Sequence, residues 1–150
     1  MIKASSRVKM NTSVIKKLTE AQISSLEQTA EYVHTEVVQA QVVPRRDGAL
    51  QGESFFVDTS QSGTGKVSLV HSEPYARLLF FHPEYKFHKG PWEEEWTDRE
   101  GVHHHVKHDG NPNAKGKWLA DWAEPPDGTG KYIKQIQRAY AEIYRRLTGV

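Results

Sequence analysis

The sequence predicts an α+β domain: a long N-terminal helix and a C-terminal helix packed on a small, mainly antiparallel sheet, with one extended β-hairpin. Three observations carry this. Apolar residues recur in helical steps near both ends of the chain. Short runs of β-branched and aromatic residues lie between them, separated by Gly, Ser and Pro. The 150-residue length is that of one globular domain, so residues 1–150 are read as a single unit. That order of elements favours helices covering one side of an antiparallel sheet.

The first helix is expected over 13–41. Asn11-Thr12-Ser13 supplies capping residues. Ile23, Leu26, Ala30, Val33, Val37 and Ala40 follow in alternating steps of three and four, the signature of one buried stripe. Pro44 excludes helical geometry at Val43 and ends the segment. Pro44-Arg45-Arg46-Asp47-Gly48 then reads as a turn.

Two strands are expected at 54–58 and 67–71, joined by a loop with two Gly and two Ser. The third apolar stretch, 75–81, lies between Pro74 and Pro83 and suits a helical turn running into a strand. Tyr85 and Phe87 alternate with Lys86 and His88, and Val102, His104 and Val106 alternate with His103, His105 and Lys107. Alternation of this kind predicts two facing strands, a protruding hairpin over 85–107 whose tip runs from Gly90-Pro91-Trp92 to Glu100-Gly101. Asn111-Pro112-Asn113 is expected to cap a short helix over 113–123, with Trp118 and Trp122 on its core side. The last helix, 130–147, carries Tyr132, Ile133, Ile136, Ala139, Tyr140, Ile143 and Leu147 on one stripe, with Arg138, Arg145 and Arg146 outside it.

Composition excludes several functions. The chain has no Cys, hence no disulfide, thiolate metal site or Cys nucleophile. With 20 Lys+Arg against 19 Asp+Glu it is not a wholesale basic nucleic-acid binder. No apolar run approaches 18 residues and no apolar signal region follows the start, so an intracellular protein without a membrane partner is expected. Hydrophobic residues are 37% of the chain, fewer than usual, which suits a domain that completes its burial against partners.

Balance conceals polarity. Residues 1–17 hold Lys3, Arg7, Lys9, Lys16 and Lys17 with no acid, and 1–12 reads as a basic arm. Residues 92–100 hold Glu93, Glu94, Glu95, Asp98 and Glu100 against Arg99. Such patches are solvated surface or the two halves of a subunit contact. Trp92 and Trp96 flank the acidic run, and Trp is enriched at interface centres. Lys3, Arg7, Lys9, Trp92, Glu93, Glu94, Glu95 and Trp96 are therefore the candidate interface residues.

Catalytic constellations are weaker. Six of the eight His lie between 82 and 108. On a strand only His103 and His105 share a side, and His108 needs a bend to join them as a metal ligand. The plainer reading is the polar face of a hairpin. A His-Asn-His nuclease needs wider spacing than His103-His104-His105 to Asn111 provides. Gly63-Thr64-Gly65-Lys66 lacks the Ser/Thr and the strand-to-helix context of a phosphate loop. No Gly-x-Ser-x-Gly elbow occurs. The expectation is a protein that is not an enzyme and takes no cofactor or metal. A metal-dependent hydrolase built on the His cluster, and a DNA-binding module using Arg45, Arg46, Lys115 and Lys117, are the more distant alternatives.

Three segments carry a resemblance. Val43-Pro44-Arg45-Arg46-Asp47-Gly48-Ala49-Leu50-Gln51-Gly52-Glu53-Ser54 resembles the V-P-x-x-T-G-x-L-x-x-S segment of siphophage minor capsid proteins, the tail-completion proteins of the neck. Tyr75-Ala76-Arg77 with Phe80 and Phe81 is similar to their Y-A-R-x-x-Y-Y. Asn111 to Trp118 is similar to their A-x-x-x-W helix start. Order and spacing agree over about residues 10–147. Asp47 stands where the family has Thr, and the Trp92–Glu100 insert is longer and more acidic. Pro44, Gly48, Leu50, Ser54, Tyr75, Ala76 and Trp118 are the family-motif positions, with structural roles. The resemblance implies a six-fold homo-oligomeric ring in the virion neck, assembled in the host cytoplasm. Its partners would be the head connector or stopper and the tail tube, with genomic DNA passing through without tight binding. The stopper ring of the same neck is the neighbouring alternative. The 85–107 hairpin would be an assembly arm.

Overall fold

The computed structural model describes residues 4, 12–44 and 52–150. The chain is α+β. Its elements are α1 (Thr12–Gln39), β1 (Phe55–Asp58), β2 (Ser68–His71), α2 (Ala76–Phe80), β3 (Trp92–Thr97), β4 (His103–His108) and α3 (Ile133–Thr148), with 3-10 turns at Ser62–Thr64 and Ala120–Trp122. The strands form two separate antiparallel pairs, β1–β2 and β3–β4, where one small sheet was expected.

α1 buries the row Ala21, Ser25, Thr29, Val33 and Val37, spaced by fours. Of the anticipated stripe, Val33 and Val37 are buried, while Ile23, Leu26, Ala30 and Ala40 are half-buried. The difference arises from hydroxyls that hide their polarity. Ser25 Oγ donates to the Ala21 carbonyl and Thr29 Oγ1 to the Ser25 carbonyl, both at 2.6 Å, so small polar residues fit an interior row. The helix ends before Pro44 acts. Gln41 takes φ 55° in the left-handed region, and Val42, Val43 and Pro44 continue as a buried, non-helical segment.

α3 lies antiparallel on α1. Ile136 packs on the cluster containing Val33 and Val37, and Arg146 Nη2, near the other end, donates to Gln28 Oε1 at 3.2 Å. Its stripe is half-buried rather than interior from Tyr132 to Ile143 and exposed at Leu147, with Arg138, Arg145 and Arg146 exposed as anticipated. Gly149 closes it in the left-handed region, its N–H on the Arg145 carbonyl at 2.7 Å.

The core comprises Val33, Val37, Val42, Val43, Phe55, Ala76 and Trp118. An aromatic series crosses it. Phe55 stacks on His71 with centroids 4.2 Å apart, and Trp118 meets His71 and Phe80 edge-on at 5.3 and 4.9 Å. The 75–81 stretch is helix at Ala76–Phe80 and contains no strand. The Lys117 N–H takes the Phe80 carbonyl at 2.8 Å and turns the chain away.

The anticipated helix over 113–123 is absent; turns lead into the 3-10 turn at Ala120–Trp122. Lys117 has φ 48°, and Gly116 lies against Pro83, where a Cβ would meet Pro83 Cα at 2.5 Å. The left-handed backbone at Lys117 cannot continue a helix, and the close approach at Gly116 requires a residue without a side chain. The Asn111–Lys115 segment instead closes the end of α1. Asn113 Nδ2 donates to the Ala40 carbonyl (2.9 Å), Asn113 N–H to Gln41 (3.2 Å), Lys115 N–H to Val42 (3.1 Å) and Asn111 Nδ2 to Val43 (2.7 Å). Four successive carbonyls just past the helix end thus find donors, as buried or turning backbone requires.

Candidate assembly arm and its root

β3–β4 is shorter than the anticipated 85–107 hairpin. Residues 82–91 form turns and irregular chain, so Tyr85 and Phe87 are not strand residues. Pairing starts at Trp92↔His108 and ends at Thr97↔His103. Glu93, Glu94 and Glu95 therefore lie within β3 rather than at a tip. The tip is Asp98–Gly101. Asp98 Oδ1 accepts the N–H groups of Glu100 (3.0 Å) and Val102 (2.9 Å), and Gly101 sits at φ 82°. The His104 Nε2–H donates to Asp98 Oδ2 at 2.8 Å. That bond, followed by the backbone N–H of Val102, holds the Asp98 carboxyl below the usual aspartate range.

The pleat divides the arm into two faces. One carries Trp92, Glu94 and Trp96 opposite His108, Val106 and His104. Trp96 stacks on His104 at 5.0 Å, and Trp92 lies between His88 at 4.0 Å and His108 at 4.3 Å. Trp96 remains 42% exposed. Glu94 Oε2 accepts from His108 Nε2 at 3.2 Å. The other face sets Glu93 and Glu95 against Lys107, His105 and His103. Glu93 accepts from His105 Nε2 at 3.0 Å and lies 3.8 Å from Lys107, whereas Glu95 stays 3.7 Å from His105 and 3.9 Å from His103. The His cluster thus pairs with the acidic run residue by residue. Among the described residues no three His, Asp or Glu side chains converge as metal ligands.

The root is clamped. Asn111 N–H donates to the His88 carbonyl at 3.2 Å, and Gly110, at φ 68°, passes so close that a Cβ would meet Gly90 O at 2.5 Å. Asn111 is buried and joins this root to Val43.

The candidate residues separate into groups. Trp92, Glu93, Glu94, Glu95 and Trp96 all lie on β3. Pro44, Ser54, Ala76 and Trp118 are buried in or beside the core, and Tyr75 is exposed. Lys3, Arg7, Lys9, Arg45, Arg46, Gly48 and Leu50 lie outside the described residues. Tyr75, Leu78, Phe81 and Tyr85 expose apolar surface around α2.

Sequence reasoning missed a cleft beside the root. Trp122, expected in the core, is half-buried, and with Tyr132 it lines a cleft together with Lys89, Lys115, Lys131 and Asp121. Asp121 accepts from Thr129 Oγ1 (2.8 Å) and Lys115 Nζ (3.1 Å), which hold its carboxyl low against the opposing effect of burial. These lysines come from three separate segments, so no local spacing announces them. No helix of the described residues is long and apolar enough to cross a membrane. Comparison with models of protein families, with curated proteins and with solved structures finds no match.

Proposed function

We propose that this chain is a structural, non-enzymatic joining protein: the tail-completion ring subunit of a long-tailed bacteriophage neck. Six copies would seat between the head connector and the tail tube, with DNA traversing the ring. The observation that carries the reading is the β3–β4 arm. Isolated two-stranded hairpins are marginal in water, and this one leaves Trp96, Val102 and Val106 exposed beyond a clamped root. An aromatic anchor held on a rigid strand and still open to solvent suits burial in an assembly. Two further features support it. Pro44, Ser54, Ala76 and Trp118, four of the motif positions, are buried, which suits the structural roles that the resemblance implies for them. The apolar patch at Tyr75, Leu78, Phe81 and Tyr85 supplies a face different from the arm, and a head-to-tail ring needs two unlike faces per subunit.

The test uses the register. Trp92 and His108 are cross-strand partners, so residues 93–107 can be replaced by a short Gly-Ser turn without moving the root. Heads and tails should then accumulate unjoined while the purified variant stays folded. Normal infectious particles from that variant would refute the proposal. Electron microscopy of wild-type particles should place the ring at the neck.

A further inference from the structure

We infer that the arm of one copy docks, through the carboxylates Glu95 and Glu100 toward its free end, into the Lys89–Lys115–Lys131 cleft at the arm root of a second copy. The inference rests on the ring reading and supplies its contact. The cleft, of about 560 Å³, has Trp122 and Tyr132 as an aromatic wall. Lys131 Nζ lies 5.2 Å from the Tyr132 ring centroid. Lys115 is paired with Asp121, whereas Lys89 and Lys131 have no carboxylate within ion-pair distance among the described residues. Three lysines against one aspartate leave the cleft positive.

The arm is its complement. Residues 92–108 carry Glu93, Glu94, Glu95, Asp98 and Glu100 against Arg99 and Lys107, a net −3 with His neutral. Glu93, Glu94 and Asp98 are engaged at 3.2 Å or less by His105, His108 and His104. Glu95, with a side chain 58% exposed, is only loosely held, and the Glu100 side chain has no polar partner among the described residues. The loosest carboxylates thus lie toward the free end of the arm.

Geometry makes the contact intermolecular. Five strand steps at about 3.4 Å separate the root from Thr97, so the tip stands about 17 Å beyond its own root. The cleft lies at that root, next to Lys89 and Pro112. A paired, clamped hairpin cannot fold back onto it. Carboxylates borne along the arm and a basic cleft at its root are two unlike surfaces, and such a heterologous pair is the type that propagates around a ring. Charge complementarity also sets the register of approach.

The test mixes unlabelled and ¹⁵N-labelled full-length protein and joins touching Lys and Glu side chains with a zero-length carbodiimide. Mixed-isotope peptides should link Glu95 or Glu100 to Lys89, Lys115 or Lys131. Absence of such links, or links confined to one chain, would overturn the inference. Lys89→Glu with Lys131→Glu leaves the Lys115–Asp121 pair intact and should lower the yield of the Lys115 link to wild-type arms, the one named link still chemically open, about tenfold or more. Adding Glu95→Lys with Glu100→Lys protein as the partner should restore hetero-association, read by sedimentation. An undiminished Lys115 link after cleft reversal would overturn the inference, as would an undiminished Lys115 link together with weakened DNA binding, which would make the cleft a nucleic-acid site. The purified chain suffices for these measurements, so their failure leaves the neck position to be decided separately by particle microscopy.

Discussion

The indole N–H of Trp118 donates to Nε2 of His71 at 3.0 Å, joining a fully buried tryptophan to the last residue of β2. The bond needs the Nε2 lone pair, so His71 carries its ring proton on Nδ1 when the bond forms. Trp118 also meets Phe80 edge-on, so one side chain ties β2 to α2. Trp118→Ala should cost roughly 3–5 kcal/mol in chemical denaturation. Trp118→Phe keeps an aromatic body but loses the donor, and a cost of about 1–2 kcal/mol is expected. Equal stability of wild type and Trp118→Phe would show that the bond contributes nothing.

Asn111 is the joint between core and arm. Its amide donates to the Val43 carbonyl 68 residues away, and its own N–H holds the His88 carbonyl. Asn111→Ala removes the buried donor at a cost of roughly 1–3 kcal/mol. Asn111→Asp should cost more, because a carboxylate faces a carbonyl. Hydrogen exchange of residues 92–108 should quicken in both variants.

Gly110 tolerates no side chain. Its φ of 68° and the Gly90 and His88 carbonyls, 2.5 and 2.7 Å from a Cβ built there, require glycine. Gly110→Ala should cost roughly 1–3 kcal/mol and loosen the arm at its root. Gly101→Ala, also at positive φ but with open space around it, should be milder. A reversed order in thermal melting would refute this account.

Acid should weaken the arm through Asp98. Its folded carboxyl lies low, through the His104 bond first and the Val102 N–H second. A depressed carboxyl contributes stability that is present above the ordinary aspartate value of about 3.9 and is lost as pH falls through the lower folded value. Asp121, held low first by Thr129, acts with the same sign. Melting temperature should fall between pH 5 and pH 2, within the range over which such carboxylates act. Asp98→Asn should flatten that slope, and parallel slopes would argue against the assignment.

Trp96→Ala should separate folding from joining. The ring is 42% exposed and has a cross-strand partner in His104, so its removal should cost under about 1 kcal/mol in the isolated chain. Joined particles should nevertheless be lost. A variant that assembles normally would remove Trp96 from the interface.

Much of the fold was legible in the sequence where periodicity operates. The helices around Val33 and Ile136 and the strands at Phe55 and Leu69 follow from spacing. The β4 alternation through Val106 also gave the correct strand. Its partner was misplaced because Tyr85 and Phe87 alternate as well, whereas the true partner, Trp92 to Thr97, presents acids that a strand propensity disfavours. The helix predicted over 113–123 failed because Asn111 and Asn113 spend their amides on carbonyls some 70 residues earlier, a contact that no local rule contains. The Lys cleft was illegible for the same reason: Lys89, Lys115 and Lys131 meet only after folding.

The segment that closes the end of α1 is also the segment that fixes the direction of the arm. Asn111 to Lys115 therefore act as a fulcrum between a 28-residue helix and a hairpin reaching about 17 Å outward. A small tilt of α1, imposed by whatever seats on its exposed face, would swing the tip through a larger arc. In the proposed ring, each copy would then work as a lever, converting contact on one side of the chain into displacement of the arm.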